Sequence, residues 1–199
     1  TVLVATGGGG LVAGIAAALG EAAPQVRVIG VQAAGAAAYP ESLRVGRPVA
    51  LQGMATMADG IAVGRPGQVP FDIVRERGVP IRTVSEELIS RALVLALERS
   101  KMLVEPAGAV GLAAVLDHAE DLVPPAAVVL SGGNVDPLLL VRVMQHGLTA
   151  AGRYVRVRVR LADHPGALAD LLSEVALLGA NVISVEHLRA AGGLGMGEV

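Results

Sequence analysis

Thr1-Val-Leu-Val-Ala5-Thr6-Gly7-Gly8-Gly9-Gly10-Leu11-Val-Ala-Gly-Ile-Ala16 joins a β-branched run to an alanine-rich helical run through four consecutive glycines. A strand, a bare turn and a helix in that order are the opening unit of an α/β fold. Further short runs, Val26–Gln32, Pro80–Val84 and Ala126–Leu130, read as strands. Their apolar residues do not alternate with polar ones, as expected for parallel strands covered by helices on both faces. Helices are predicted over about Leu11–Glu21, Val69–Arg77, Ser85–Ser100, Pro106–His118 and Pro137–Leu148. Ser85, followed by Glu86 and Glu87, is an amino-terminal cap with acids where the helix dipole favours them.

Composition narrows the possible functions. The 199 residues are 53% apolar but 2% aromatic, with 26 glycines, so the core must be aliphatic. A net charge of -2 attracts no polyanion, and so few aromatics leave little to stack on bases, which argues against nucleic-acid binding. The absence of cysteine excludes disulfides, thiolate metal sites and a cysteine nucleophile, and suits the cytoplasm. The uncharged stretch Val2–Gly20 is interrupted by its glycines and too short to span a bilayer, so no membrane segment is read. The chain starts directly in a strand and ends in the glycine-rich run Gly192–Val199, which reads as part of a longer protein.

After Gly152 the pattern changes. Tyr154-Val-Arg-Val-Arg-Val-Arg-Leu161 alternates strictly and predicts a strand with one wet face. Asp163-His-Pro-Gly166, a helix to about Leu178, Gly179-Ala-Asn181 and a strand over Val182–Leu188 complete a β-helix-β unit. A domain boundary is placed near Ala150–Arg153.

The glycine run is the strongest chemical signal. Residues without Cβ let consecutive backbone N–H groups meet an oxyanion, and the next helix adds the positive end of its dipole. A nucleoside-triphosphate loop would need Lys-Ser/Thr after the glycines, where Leu11-Val12 stands. Gly8-x-Gly10-x-x-Ala13 meets the relaxed dinucleotide fingerprint, but the second strand ends in Gln32 where an acid should hold the ribose. A small phosphorylated cofactor and a plain tight turn remain open. Ser131-Gly-Gly-Asn134 follows a strand and puts a hydroxyl where α/β folds bind ligands, although such a run can also be only a turn. Glu105, ahead of Pro106, can cap the following helix.

Taken together, the tetraglycine turn with Gly14-Ile-Ala, Ile29-Gly-Val31, Ala58-Asp-Gly-Ile-Ala-Val-Gly-Arg-Pro-Gly67, Val104-Glu-Pro-Ala-Gly-Ala109 and Ser131-Gly-Gly-Asn134 resemble the threonine dehydratases in order and spacing. These are pyridoxal-phosphate enzymes of the tryptophan synthase β-type fold, similar to serine racemase and serine dehydratase. The resemblance covers residues 1–150 and implies a portion of a catalytic domain. It implies that Gly7, Gly8, Gly9 and Gly10, with Leu11 adjoining, bind the phosphate of pyridoxal 5'-phosphate. It further implies that Ser131 hydrogen-bonds the pyridine nitrogen and that Glu105 lies near the ring. The implied reaction is β-elimination of threonine, or serine, to 2-oxobutanoate, or pyruvate, and ammonia.

The same resemblance implies a Schiff-base lysine upstream of the tetraglycine loop. Lys101 is the only lysine and does not match that position, so the chain by itself is expected to bind cofactor poorly and to be inactive. Relatives carry glutamate and aspartate ligands for a divalent metal where Gln32 and Ala38 stand here, so no metal is expected. The histidines at 118, 146, 164 and 187 have no ligand spacing. Residues 153–199 resemble the first half of an ACT domain, a ferredoxin-like α+β module that binds amino acids. That likeness implies an effector site using Asp163, Gly166 and Asn181, and a homo-oligomer. Two other readings stay in play: a non-catalytic amino-acid-binding regulatory fragment and a nicotinamide-dinucleotide oxidoreductase.

Overall fold

The structure is a computed structural model and describes residues 1–187. The expected loop over 192–199, and Leu188 at the end of the last expected strand, lie outside the described residues. The chain divides into two compact units, Thr1–Val155 and Arg156–Val199.

In the first unit β1 (Val2–Ala5), β2 (Val28–Ala33), β3 (Ile81–Val84) and β4 (Ala127–Val128) form one parallel sheet in the order β3-β2-β1-β4. The fold is therefore the predicted parallel α/β type. All six residues of β2 are buried, because this strand is paired on both edges and covered on both faces. Even so, the period of two persists. Leu3, Ile29 and Val31 enter one core with Ile89, Val110 and Val143, while Val4 and Val28 enter the other with Val12, Phe71 and Val74. Each such side chain, fully buried, stabilises the fold by about 1.5–3 kcal/mol.

Six helices build those two layers: α1 (Gly10–Ala22), α2 (Ala38–Val45), α3 (Gln68–Glu76), α4 (Glu86–Leu95), α5 (Pro106–Asp117) and α6 (Pro137–Ala150). Helices α1 to α3 cover one face, and α4 to α6 the other. The Ser85 side chain caps α4 by accepting from the Leu88 N–H at 3.3 Å. The expected long helix over 85–100 ends as α at Leu95 and continues as one π turn through Ser100. Helix α2 was not anticipated. The strand expected over 126–130 shortens to β4, although the Val129 N–H still donates to the Leu3 carbonyl at 3.0 Å.

Beyond the first unit α7 (Ala167–Leu177) forms as expected, with Gly166 in the left-handed region at its start. The flanking strands do not. Tyr154–Leu161 and residues 181–187 form no strand, and Ala162 alone makes an isolated bridge. Alternation selects a face, but a strand also needs a neighbour to take its N–H and C=O groups, and no strand pairs with these segments among the described residues. No residue of α7 is buried.

Candidate cofactor site

Sheet order positions the site. Because β1 lies between β2 and β4, the chain leaves β1 toward one face and reaches β4 from the other. The loops after β1 and β4 thus open side by side at the carboxyl ends of the strands, where α/β sheets bind ligands. A cavity of about 200 Å³ lies there, lined by Gly7 to Gly10, Leu11, Glu105 and Ser131, with Ala5, Gly60, Ile61 and Ala107 completing the wall. Every cofactor residue expected from the sequence is on this wall.

The loop has the features an oxyanion requires. The N–H groups of Gly7, Gly8 and Gly9 donate to no protein acceptor among the described residues. Next to them, the first turn of α1 leaves further amides unpaired and brings the positive end of a 13-residue helix. Gly9 has φ 100°, and a Cβ there would overlap the Tyr39 hydroxyl. Only glycine fits, for both reasons. Free amides, no side-chain bulk and a helix amino terminus suit a phosphate group.

Across the cavity, Glu105 precedes α5 but makes no side-chain cap, which leaves its carboxylate for other neighbours. That carboxylate packs against Gly60, where a Cβ would come within 3.2 Å of Oε1, and against Gly132, where a Cβ would overlap it. The Glu105 N–H donates to the Gly132 carbonyl at 3.2 Å, tying α5 to the loop that carries Ser131. Gly108 lets α5 come close enough for this, since a Cβ there would strike the Ser131 carbonyl. Ser131 and Glu105 are both half-buried.

Gly60 and Ile61 were not anticipated as part of the wall. They sit in a short 3-10 turn, Asp59–Ile61, inside the quoted Ala58–Gly67 stretch. Glu86 Oε2 accepts the Met57 N–H at 2.8 Å and so anchors that turn. These residues contribute backbone and bulk, for which single residue types carry little signal.

The remaining candidates lie elsewhere. Lys101 is exposed, adopts φ 56° and donates from Nζ to the Glu98 carbonyl at 2.8 Å, outside the cavity wall. Gln32 is wholly buried, and its Oε1 accepts the Tyr39 N–H at 2.9 Å. With that oxygen engaged and a methyl group at Ala38, these two positions offer no carboxylate to a divalent cation. No cluster of three His, Asp or Glu able to hold a metal occurs among the described residues. Within the second unit a separate hollow of about 390 Å³ is lined by Leu161, Asp163, His164, Gly166, Leu172 and His187, among others. It gathers Asp163 and Gly166, but Asn181 is not on its wall. No helix among the described residues is long and apolar enough to cross a membrane.

These features coincide with clear family relationships. The pyridoxal-phosphate dependent enzyme family matches residues 1–132, and the chain belongs to that family. It is 46% identical over 198 residues to an L-threonine ammonia-lyase of Geobacter sulfurreducens, covering 99% of this chain and 49% of that protein. It is 44% identical over 190 residues to the L-threonine ammonia-lyase of Thermotoga maritima, covering 96% and 47%. The chain thus spans about half the length of these curated relatives. Among solved structures, a threonine deaminase from T.th. superposes with a TM-score of 0.65 at 43% identity, over 68% of this chain and 50% of that one. Maize serine racemase superposes with a TM-score of 0.64 at 30% identity, over 72% and 46%.

Proposed function

We propose that the protein carrying this chain is a threonine ammonia-lyase, which converts threonine to 2-oxobutanoate and ammonia by β-elimination. The observation that carries this reading is the meeting of the free Gly7 to Gly9 amides, Glu105 and Ser131 around one cavity. The names of the two bacterial relatives support the choice of substrate. Pyridoxal phosphate, when bound, supplies an electron sink for negative charge at the substrate α-carbon.

The residues of this chain then bind and orient. Gly7 to Gly10 and the start of α1 take the phosphate. Ser131 offers the pyridine nitrogen a neutral hydroxyl, which does not hold that nitrogen protonated as a carboxylate would, and this favours rapid elimination over prolonged carbanion chemistry. Glu105, beside Gly60 and Gly132, lines the same cavity and would lie near the cofactor ring, with the buried side chain of Ile61 adding an apolar part of the wall. No residue of this chain is assigned as the base that moves the α-proton.

Residues 1–150 are read as part of the catalytic domain and 153–199 as part of an ACT module. The hollow at Asp163 and Gly166 supports an amino-acid effector site there. Assembly as a homo-oligomer in the cytoplasm completes the reading. Incubating the purified holoenzyme with threonine and with serine tests the activity. We expect more 2-oxobutanoate from threonine than pyruvate from serine. Pyruvate alone would shift the assignment toward serine, as the likeness to serine racemase allows. Release of neither product would overturn it.

A further inference from the structure

One carbonyl in the glycine loop is held from two directions. The Gly8 oxygen accepts the Tyr39 hydroxyl at 3.3 Å and the Gly67 N–H at 3.0 Å. Tyr39 stands at the start of α2 and Gly67 caps α3, so both helices bring a donor to the same atom. Tyr39 is itself fixed. It is wholly buried, its ring lies 6.3 Å from that of Phe71, and its backbone N–H donates to Gln32 Oε1 at the end of β2.

The consequence follows from peptide geometry. The C=O of Gly8 and the N–H of Gly9 belong to one planar trans unit and point in opposite directions. Holding the carbonyl against the protein therefore fixes the direction of the free Gly9 N–H. A glycine has no side chain to restrict that peptide, and without the two donors the unit could rotate and present its carbonyl to the anion.

We infer that Tyr39, supported by Gln32, is a positioning residue for cofactor phosphate, acting together with the Gly67 N–H through the Gly8–Gly9 peptide. This rests on the reading of the glycine loop as a phosphate cradle. Burial pushes the Tyr39 hydroxyl up to about 12, so it remains a donor at physiological pH. Neither Tyr39 nor Gly67 lines the cavity, which distinguishes them from residues that would touch cofactor.

The test compares binding of pyridoxal 5'-phosphate with binding of pyridoxal, which lacks the phosphate, by equilibrium dialysis of the purified protein. Tyr39→Phe keeps the ring and removes the donor. It should weaken pyridoxal phosphate about fivefold, the usual effect of one hydrogen bond, and leave pyridoxal unchanged. Gln32→Leu removes the acceptor that holds the Tyr39 backbone, together with a buried side-chain N–H that has no partner among the described residues, and leaves the glycine loop itself untouched. The Gln32→Leu variant should also weaken pyridoxal phosphate and leave pyridoxal unchanged, and it decides the matter if Tyr39→Phe does not fold. Equal weakening of both ligands, or no weakening of either, would overturn the inference. A parent protein that fails to prefer pyridoxal phosphate over pyridoxal would overturn the cradle reading itself, and this inference with it.

Discussion

Val28–Ala33 and Tyr154–Leu161 are both built around β-branched residues, yet only the first is a strand. Val28–Ala33 has β1 on one side and β3 on the other, and its six residues are buried. Tyr154–Leu161 has the cleaner alternation, but Val155 and Val157 are 71% and 72% exposed and no strand pairs with them among the described residues. Local preference is a weak influence beside a partner that satisfies the backbone. The paired region also carries the proposed cofactor site, because a fixed sheet holds the two loops side by side around one cavity.

Hydrogen exchange on this chain should give the largest contrast. The Val31 amide lies in the paired core, whereas Val157 donates to no group among the described residues. Val31 should exchange orders of magnitude more slowly, approaching the rate of global unfolding. Equal rates would break the comparison. Leu3→Ala, at a site with no exposure, should cost about 2–5 kcal/mol in denaturant unfolding. Gly9→Ala should cost about 2 kcal/mol or more, because of its φ of 100° and the overlap with Tyr39, and should also weaken cofactor binding.

A smaller effect is expected at high pH. The Tyr39 hydroxyl is raised from 10.0 to about 12 in the folded chain. The proton is therefore held more tightly when folded, and its stabilising contribution is complete below pH 10 and lost as the pH rises toward 12. Tyr39→Phe should flatten that part of the stability profile. A profile that falls just as steeply in the variant would assign the loss to other groups. Leu178→Ala should have the least effect, within about 0.5 kcal/mol, since the side chain is 85% exposed.

Much of the site was legible because its signals are local. The tetraglycine run and Ser131 after an apolar run each mark a turn between a strand and a helix, Glu105 before Pro106 marks a helix start, and the fold brings the three to one cavity. What was missed depends on distance along the chain. Tyr39 reaches Gly8 across 31 positions. Gly60 and Ile61 act through backbone and bulk rather than a reactive group. Helix α2 begins after a run of alanines and glycine and contains Pro40, so it offers little periodic pattern. The opposite error, two strands expected around α7, arose because alternation describes one segment and not its neighbour.

The glycine loop and the Ser131 loop are proposed to hold one cofactor between them. An amide NMR titration of the chain with pyridoxal 5'-phosphate tests this most directly. The resonances of Gly7 to Gly10 and Leu11 should move first and furthest, with Ser131 and Gly132 following. Unmoved glycine resonances, or changes confined to residues 161–172, would contradict it.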